Sequence, residues 1–254
     1  MLLEHYYMLL AGMTTLAVVV FIALQYVEAG YGYLFNPKFG IGVKNKFGWI
    51  LMEAPVFILM TILWYNSDRT TQTVPLILYL LFSAHYIQRS FIFPFLIRGK
   101  SKMPIGIVLM GILFNTINAI MQGGWIFYLA PDNLYDDWFS KPYIYIGIIL
   151  FVAGMFINIQ SDHIIRNLRK DGDTRHYIPR KGMFKYVSSA NYFGEIVEWC
   201  GFAIASWSLS GVVFVIWTFA NLTPRAKALH RRYKQEFGEE FNKLKVKRIF
   251  PFIY

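Results

Sequence analysis

Seven times along the chain about twenty mostly apolar residues follow one another, at 6–28, 47–65, 73–97, 104–130, 142–162, 189–206 and 209–224. A helix of that length crosses a hydrocarbon core of about 30 Å. Within such a core every backbone N–H and C=O must be bonded internally, which leaves helices or a closed barrel. Runs this long, without alternation, select helices. The sequence predicts an all-α integral membrane protein with seven transmembrane helices in a single domain, 1–254. Composition agrees, with 56% hydrophobic and only 16% charged residues, against about 25% charged in a soluble domain. The first run is expected to stay as a helix rather than be cleaved. Its leader MLLEHYY carries Glu4 and no Lys or Arg, and the run is too long for a signal core.

The net charge of +10 could suggest nucleic acid, but its placement argues otherwise. Basic clusters follow the first run (Lys38, Lys44, Lys46), the third (Arg98, Lys100, Lys102), the fifth (Arg166 to Lys185) and the seventh (Arg225 to Arg248). The intervening loops NSDRTTQTV, APDNLYDDWFSK and SWSLSG are poor in Lys and Arg. Basic loops stay cytoplasmic, so the N-terminus is expected outside and the C-terminus inside. Orientation accounts for most of the charge. The expected partners are the bilayer and a small lipid-soluble molecule, with no nucleic acid and the chain a monomer.

Several polar groups sit where lipid does not favour them. GWILMEAPVFILM, 48–60, holds Glu53 about seven residues in from Lys46, and SAHYIQRSF, 83–91, holds His85, Tyr86, Gln88 and Arg89. At 1.5 Å per residue Glu53 and Tyr86 lie about 10 and 18 Å inside the cytoplasmic basic ends. Long basic side chains can snorkel back to the headgroups, which serves Arg98 and Lys100, whereas Glu53 is too short. An acid in hydrocarbon costs about 2.5–3.5 kcal/mol even on the lowest scales, so Glu53 and Tyr86 are expected to face an internal polar cavity. Asn115, Asn118 and Gln122 form one helical stripe in the fourth run. Such amides serve either as interhelical glue or as cavity lining.

The fifth run ends in FINIQSDHIIRNLRK, with Asn158, Asp162 and Arg169 on one face. The sixth opens with ANYFGEIVEW, which puts Asn191, Glu195 and Glu198 at i, i+4, i+7. A tail helix, RAKALHRRYKQEF, brings Arg225, His230 and Tyr233 to the same cytoplasmic mouth. Carboxylates and amides suit ribose hydroxyls or a carboxamide, and arginines suit phosphates. Glu195 and Glu198 could instead pair with arginines and bind nothing. The lone Cys200 fits neither an intramolecular disulfide nor a cysteine-based metal site. No HExxH pattern, glycine-rich dinucleotide turn or GxxxxGK[ST] occurs, so no metal is expected.

WILMEAP, AHYIQRSF with the following RGK, INIQSDHIIRNLR, YVSSANYFGEIVEW and the RAKALHRRY…FPFIY tail together resemble the steroid 5α-reductases. The similarity is strongest over the C-terminal hundred residues. The resemblance implies a seven-helix enzyme that takes NADPH from the cytoplasmic side and reduces the Δ4 C=C bond of a 3-oxo-Δ4 steroid or similar enone lipid. It implies that Glu53 and Tyr86 contact the ketone, with Trp49, Met52, Arg89, Asn115 and Asn118 around the substrate. It further implies a cofactor site, mainly within 155–254, from Asn158, Asp162, Arg169, His176, Tyr177, Asn191, Glu195, Glu198, Arg225, His230 and Tyr233, with Arg98 and Lys100. The chemistry is consistent. Hydride addition to the β-carbon of an enone puts negative charge on the ketone oxygen, where a hydrogen-bond donor stabilises the transition state most. A phenol donates well, and a carboxyl group kept from water can stay protonated and donate too.

Three positions depart from the eukaryotic members. Met52 stands where they have Gln, His176-Tyr177 where they have a Tyr followed by a basic residue, and Leu229-His230 where they have two histidines. These departures read as those of a bacterial member, in an inner membrane; a eukaryotic chain would sit in the endoplasmic reticulum. They bear on substrate identity and on NADPH against NADH. The rival readings are an S-adenosylmethionine-dependent membrane methyltransferase of the isoprenylcysteine or phospholipid type, and a non-catalytic lipid-binding or transport protein.

Overall fold

In the computed structural model, which describes residues 2–27, 30, 34–98, 101–169, 173 and 175–254, each apolar run is a helix. Five of these are long and apolar enough to cross a membrane: α1 (Leu3–Tyr26), α2 (Asn45–Tyr65), α3 (Thr73–Leu96), α4 (Ile105–Leu129) and α5 (Pro142–Arg166). The chain is an all-α, multi-pass integral membrane protein. Two further helices complete the bundle, α6 (Ala190–Ser206) with 17 residues and α7 (Leu209–Phe237) with 29.

Three boundaries differ from the sequence reading. α5 runs one turn further, to Arg166, so Asp162 sits on regular helix. The tail helix is not separate: α7 continues through Pro224 into the basic segment. At 1.5 Å per residue its 29 residues span about 44 Å, more than the hydrocarbon thickness. Finally, α3 and α4 each contain a wider π-helical turn, Gln88–Ile92 and Trp125–Leu129. Such turns re-aim side chains and recur at functional sites. The first one carries Arg89.

Close helix contact depends on missing side chains. α5 and α6 pack antiparallel, and a Cβ on Gly154 would lie 2.2 Å from the Glu198 backbone nitrogen, one on Gly201 2.3 Å from that of Phe151. Only glycine allows this approach, the small-residue packing that lipid favours. It sets Asn158 beside Asn191 and Glu195. β1 (Gly42–Lys44) and β2 (Lys102–Pro104) pair antiparallel and tie the starts of α2 and α4 together, so those helices run side by side.

α1 buries only one stripe, Tyr6, Leu10, Met13 and Ala17. Buried hydrogen bonds anchor it: the Tyr6 hydroxyl donates to the Met121 carbonyl, and Trp217 Nε1 to the Met13 carbonyl, both at 2.9 Å. The C-terminal segment is held to the start of α6 through Ser188 N to the Lys247 carbonyl (2.8 Å) and Ser189 N to the Arg248 carbonyl (3.1 Å).

Candidate active site

A cavity of about 390 Å³ lies between α1, α2, α3, α4, α6 and α7, within the range of small-molecule sites. Its walls are mainly apolar. Phe114 packs on Trp217 and Trp199 on Phe214, with ring centroids 4.8 and 4.5 Å apart. Glu53, Tyr86, Arg89, Asn115, Glu195 and Trp49 line it as well. One continuous space thus joins an aromatic compartment to a polar end.

Glu53 and Tyr86 are each held by an amide of α4. Asn115 Nδ2 donates to Glu53 Oε2 at 3.1 Å and to the Met52 carbonyl at 2.7 Å. Asn118 Nδ2 donates to the Tyr86 hydroxyl at 3.1 Å. Behind it, Gln122 Nε2 donates to Asn118 Oδ1 at 3.3 Å and to the Ser210 carbonyl at 2.9 Å. The direction of this relay matters. Tyr86 oxygen accepts from Asn118, which leaves the phenolic hydrogen for another acceptor, and Glu53 keeps its second oxygen outside the Asn115 contact. Asn115 is both glue and lining, since it bonds across helices and faces the cavity, whereas Asn118 lies behind the wall and serves as an interhelical bond that orients Tyr86.

Met52 and Trp49 also line the cavity. The Met52 side chain occupies space that a Cβ on Gly111 would invade, at 2.1 Å from Met52 Cγ. The Arg89 guanidinium lies over the Trp49 ring at 4.3 Å and over Phe93 at 4.7 Å. Its Nη1 donates to Asp162 Oδ2 at 3.1 Å, and Nη2 is 3.8 Å from Glu195 Oε2. Asn191 Nδ2 donates to Asp162 Oδ1 (3.2 Å); Asn158 Nδ2 donates to the Asn191 carbonyl (3.0 Å) and to Glu195 Oε2 (3.4 Å). Asn158, Asp162, Asn191 and Glu195 thus form one cluster, closed at the cavity end by Arg89.

Glu198 departs from this group. It is wholly enclosed and turned away from the mouth, with Oε1 2.8 Å from His85 Nδ1 and Oε2 without a hydrogen-bond partner. The i, i+7 spacing that put it on the Asn191 face is met, but seven residues carry it about 10 Å deeper along the axis.

The remaining residues of the expected cofactor set lie toward the basic, C-terminal end of α7. Arg225 Nε donates to the Tyr192 hydroxyl at 2.6 Å. Tyr233 stacks on Phe241, and burial, then the nearby Tyr192 hydroxyl, pushes its phenol up to about 12. His176 Nδ1 is 2.8 Å from Glu236 Oε1; burial and then the charges of Arg169 and Arg232 lower its pKa. The Tyr177 hydroxyl donates to Asp173 at 2.6 Å. His230 Nδ1 is 3.0 Å from Ser188 Oγ, and burial, with Lys234 and Arg248 near, pushes it down to about 4. Arg98 is exposed beyond the end of α3, and Lys100 lies outside the described residues.

Sequence reasoning named Glu198 in the cofactor set and His85 among the intramembrane polar groups but missed their pairing, and it missed Gly111 and α1 altogether. His85 and Glu198 form a pair that no local spacing announces, since they are 113 residues apart. Gly111 gives room for Met52, and α1 lines the cavity through Met13, Leu16, Val20 and Leu24, apolar residues indistinguishable from lipid-facing ones.

A family profile described as 3-oxo-5-alpha-steroid 4-dehydrogenase matches residues 101–254. The chain is 45% identical to 3-oxo-5-alpha-steroid 4-dehydrogenase 1 of Macaca fascicularis over 228 residues, covering 88% of this chain and 84% of the relative. It is 40% identical to the Bos taurus protein of that name, covering 94% and 93%. To steroid 5-alpha-reductase DET2 of Arabidopsis thaliana it is 34% identical, covering 92% and 90%. These relatives are animal and plant proteins and lend no support to a bacterial origin.

Proposed function

The chain belongs to the 3-oxo-5-alpha-steroid 4-dehydrogenase family, and from that premise we propose that NADPH-dependent reduction of a 3-oxo-Δ4 steroid to its 5α product takes place in the α1–α7 cavity, with Glu53 and Tyr86 on the ketone. It is an oxidoreductase acting on the steroid Δ4 bond. The observation that carries the site assignment is the amide relay. Asn115 and Asn118 hold Glu53 and Tyr86 at the junction of an aromatic compartment and a polar one.

A steroid skeleton suits the compartment walled by Phe114, Trp199, Phe214 and Trp217. Tyr86, whose oxygen already accepts from Asn118, donates to the ketone oxygen, and protonated Glu53 adds a second donor. Both strengthen as the oxygen gains charge, so they act on the transition state more than on the ground state. The reduced nicotinamide supplies the hydride for the β-carbon. The donor chemistry at the polar end fits such a cofactor. Asn158, Asp162, Asn191 and Glu195 match carboxamide and ribose groups, while Arg169, Arg225 and Arg98 match phosphates. Tyr233, His176, Tyr177 and His230 complete the cytoplasmic wall. Arg89, stacked on Trp49 and paired with Asp162, stands between the two compartments.

All seven helices cross the bilayer in this reading, N-terminus outside and C-terminus in the cytoplasm, as one domain whose cofactor part is 155–254. Because helices of one chain enclose the cavity, the working unit is a monomer. Titration of purified protein with NADPH, NADH and S-adenosylmethionine tests the reading. NADPH should bind and support reduction of a 3-oxo-Δ4 steroid. Binding of S-adenosylmethionine alone would overturn it in favour of methyl transfer.

A further inference from the structure

Glu53 and Tyr86 account for the ketone oxygen but not for the whole reaction. Hydride addition makes a C–H bond at the β-carbon and moves the C=C electrons toward the oxygen as an enolate. The saturated ketone appears only when a proton makes a second C–H bond, at the α-carbon, as the C=O re-forms. Groups placed on the oxygen deliver to oxygen and give an enol. A different acid must face the carbon.

We propose that His85, backed by Glu198, is the acid that protonates the α-carbon of the enolate. This rests on the assignment of Glu53 and Tyr86 to the ketone. His85 precedes Tyr86 in the chain, lines the same cavity, and packs edge-on to the Tyr86 ring with centroids 4.9 Å apart. Its other face meets Trp199, 4.6 Å away. Its Nδ1 is committed to Glu198 Oε1 at 2.8 Å, which leaves Nε2 for the cavity.

Glu198 makes the pair a proton carrier. The carboxyl group is fully buried, its Oε2 has no partner, and His85 is the one group bonded to Oε1 among the described residues. A carboxylate so placed is tolerated only with a positive partner or a proton of its own. In either form the pair holds one transferable proton. In the step, the Nε2–H bond breaks and its proton joins the enolate carbon, whose C=C electron pair forms the new bond. Neutral imidazole remains bonded to the Glu198 carboxylate, and water on the cytoplasmic side returns the proton. One hydride from the reduced nicotinamide and one proton from solvent are consumed. Glu198 touches no substrate and is a positioning residue.

The test is reduction of a 3-oxo-Δ4 steroid in D₂O by wild type, His85→Gln and Glu198→Gln, reading the face of deuterium at the α-carbon. Wild type should place deuterium on one face. His85→Gln should turn over about 10²-fold more slowly and give deuterium on both faces, because released enol is protonated by water. Glu198→Gln should slow turnover while keeping one face. A second readout needs no hydride: wild type should exchange α-hydrogen of the saturated ketone into D₂O, and His85→Gln should not. If His85→Gln does not fold, Glu198→Gln carries the test, since its amide keeps an interhelical hydrogen bond. A folded His85 variant with wild-type rate and single-face deuteration would overturn the assignment of His85 alone. A wild type that reduces no 3-oxo-Δ4 steroid would overturn the function beneath it.

Discussion

At the scale of single residues, the direction of hydrogen bonds decides what each group has left to give. Tyr86 and Glu53 both accept from amides, so Tyr86→Phe and Glu53→Gln each remove a donor, or its proton, with little change of shape. Each should lower kcat by about 10²–10³-fold and leave the NADPH dissociation constant, measured by titration, near the wild-type value. Met52 meets the cavity with an adaptable apolar side chain. Met52→Gln should fold, bind cofactor, and alter the ranking of kcat/KM among two or three 3-oxo-Δ4 steroids. An unchanged ranking would place Met52 outside substrate contact. His230, beyond the apolar part of α7, titrates near 4 in the fold against 6.5 unfolded. The unfolded chain therefore binds the extra proton first as pH falls. Stability from neutral His230 is complete above about pH 6.5 and is lost toward pH 4, by up to about 3 kcal/mol. Thermal midpoints of wild type should fall more across that window than those of His230→Gln.

Among the helices, α5 and α6 show how close glycine packing brings a polar cluster within hydrogen-bond reach. Gly154→Ala would drive a Cβ into the Glu198 backbone and part the two helices. Overpacking of this kind costs about 1–3 kcal/mol, so the thermal midpoint should fall, and cofactor affinity should weaken as Asn158 parts from Asn191. The helices themselves were legible in the sequence, because hydropathy reports length and lipid demands helices. The continuity of α7 was not, since Pro224 reads locally as a break and tertiary packing overrides it. Asn158, Asp162, Asn191 and Glu195 were legible as a group from their i, i+4 spacings. The His85–Glu198 pairing was not, because the two lie 113 residues apart on different helices, and relative depth in the bundle decides which residues meet. α1 gave no sign of lining the cavity, as lipid and a steroid-sized space call for the same side chains.

For the molecule as a whole, the basic loops imply an orientation that can be measured. Cysteines introduced at Asn133 and Lys245, in a Cys200→Ser background, should react with a membrane-impermeant maleimide from opposite sides of sealed vesicles. Reaction of both from the same side would exclude the seven-crossing arrangement. The unbroken α7 reaches from the Phe214 and Trp217 wall of the cavity to Arg225 and Tyr233 outside it, so the two compartments share a stiff element. One more property follows from that wall. Trp49, Trp199 and Trp217 all face the cavity, and reduced nicotinamide absorbs light in the band where indole emits. Occupation of the polar end should quench tryptophan fluorescence by energy transfer, and a non-absorbing saturated ketone in the aromatic compartment should shift the emission without quenching it. The fold carries a built-in pair of optical channels, one for each ligand, and the order in which they fill can be watched on an unlabelled protein.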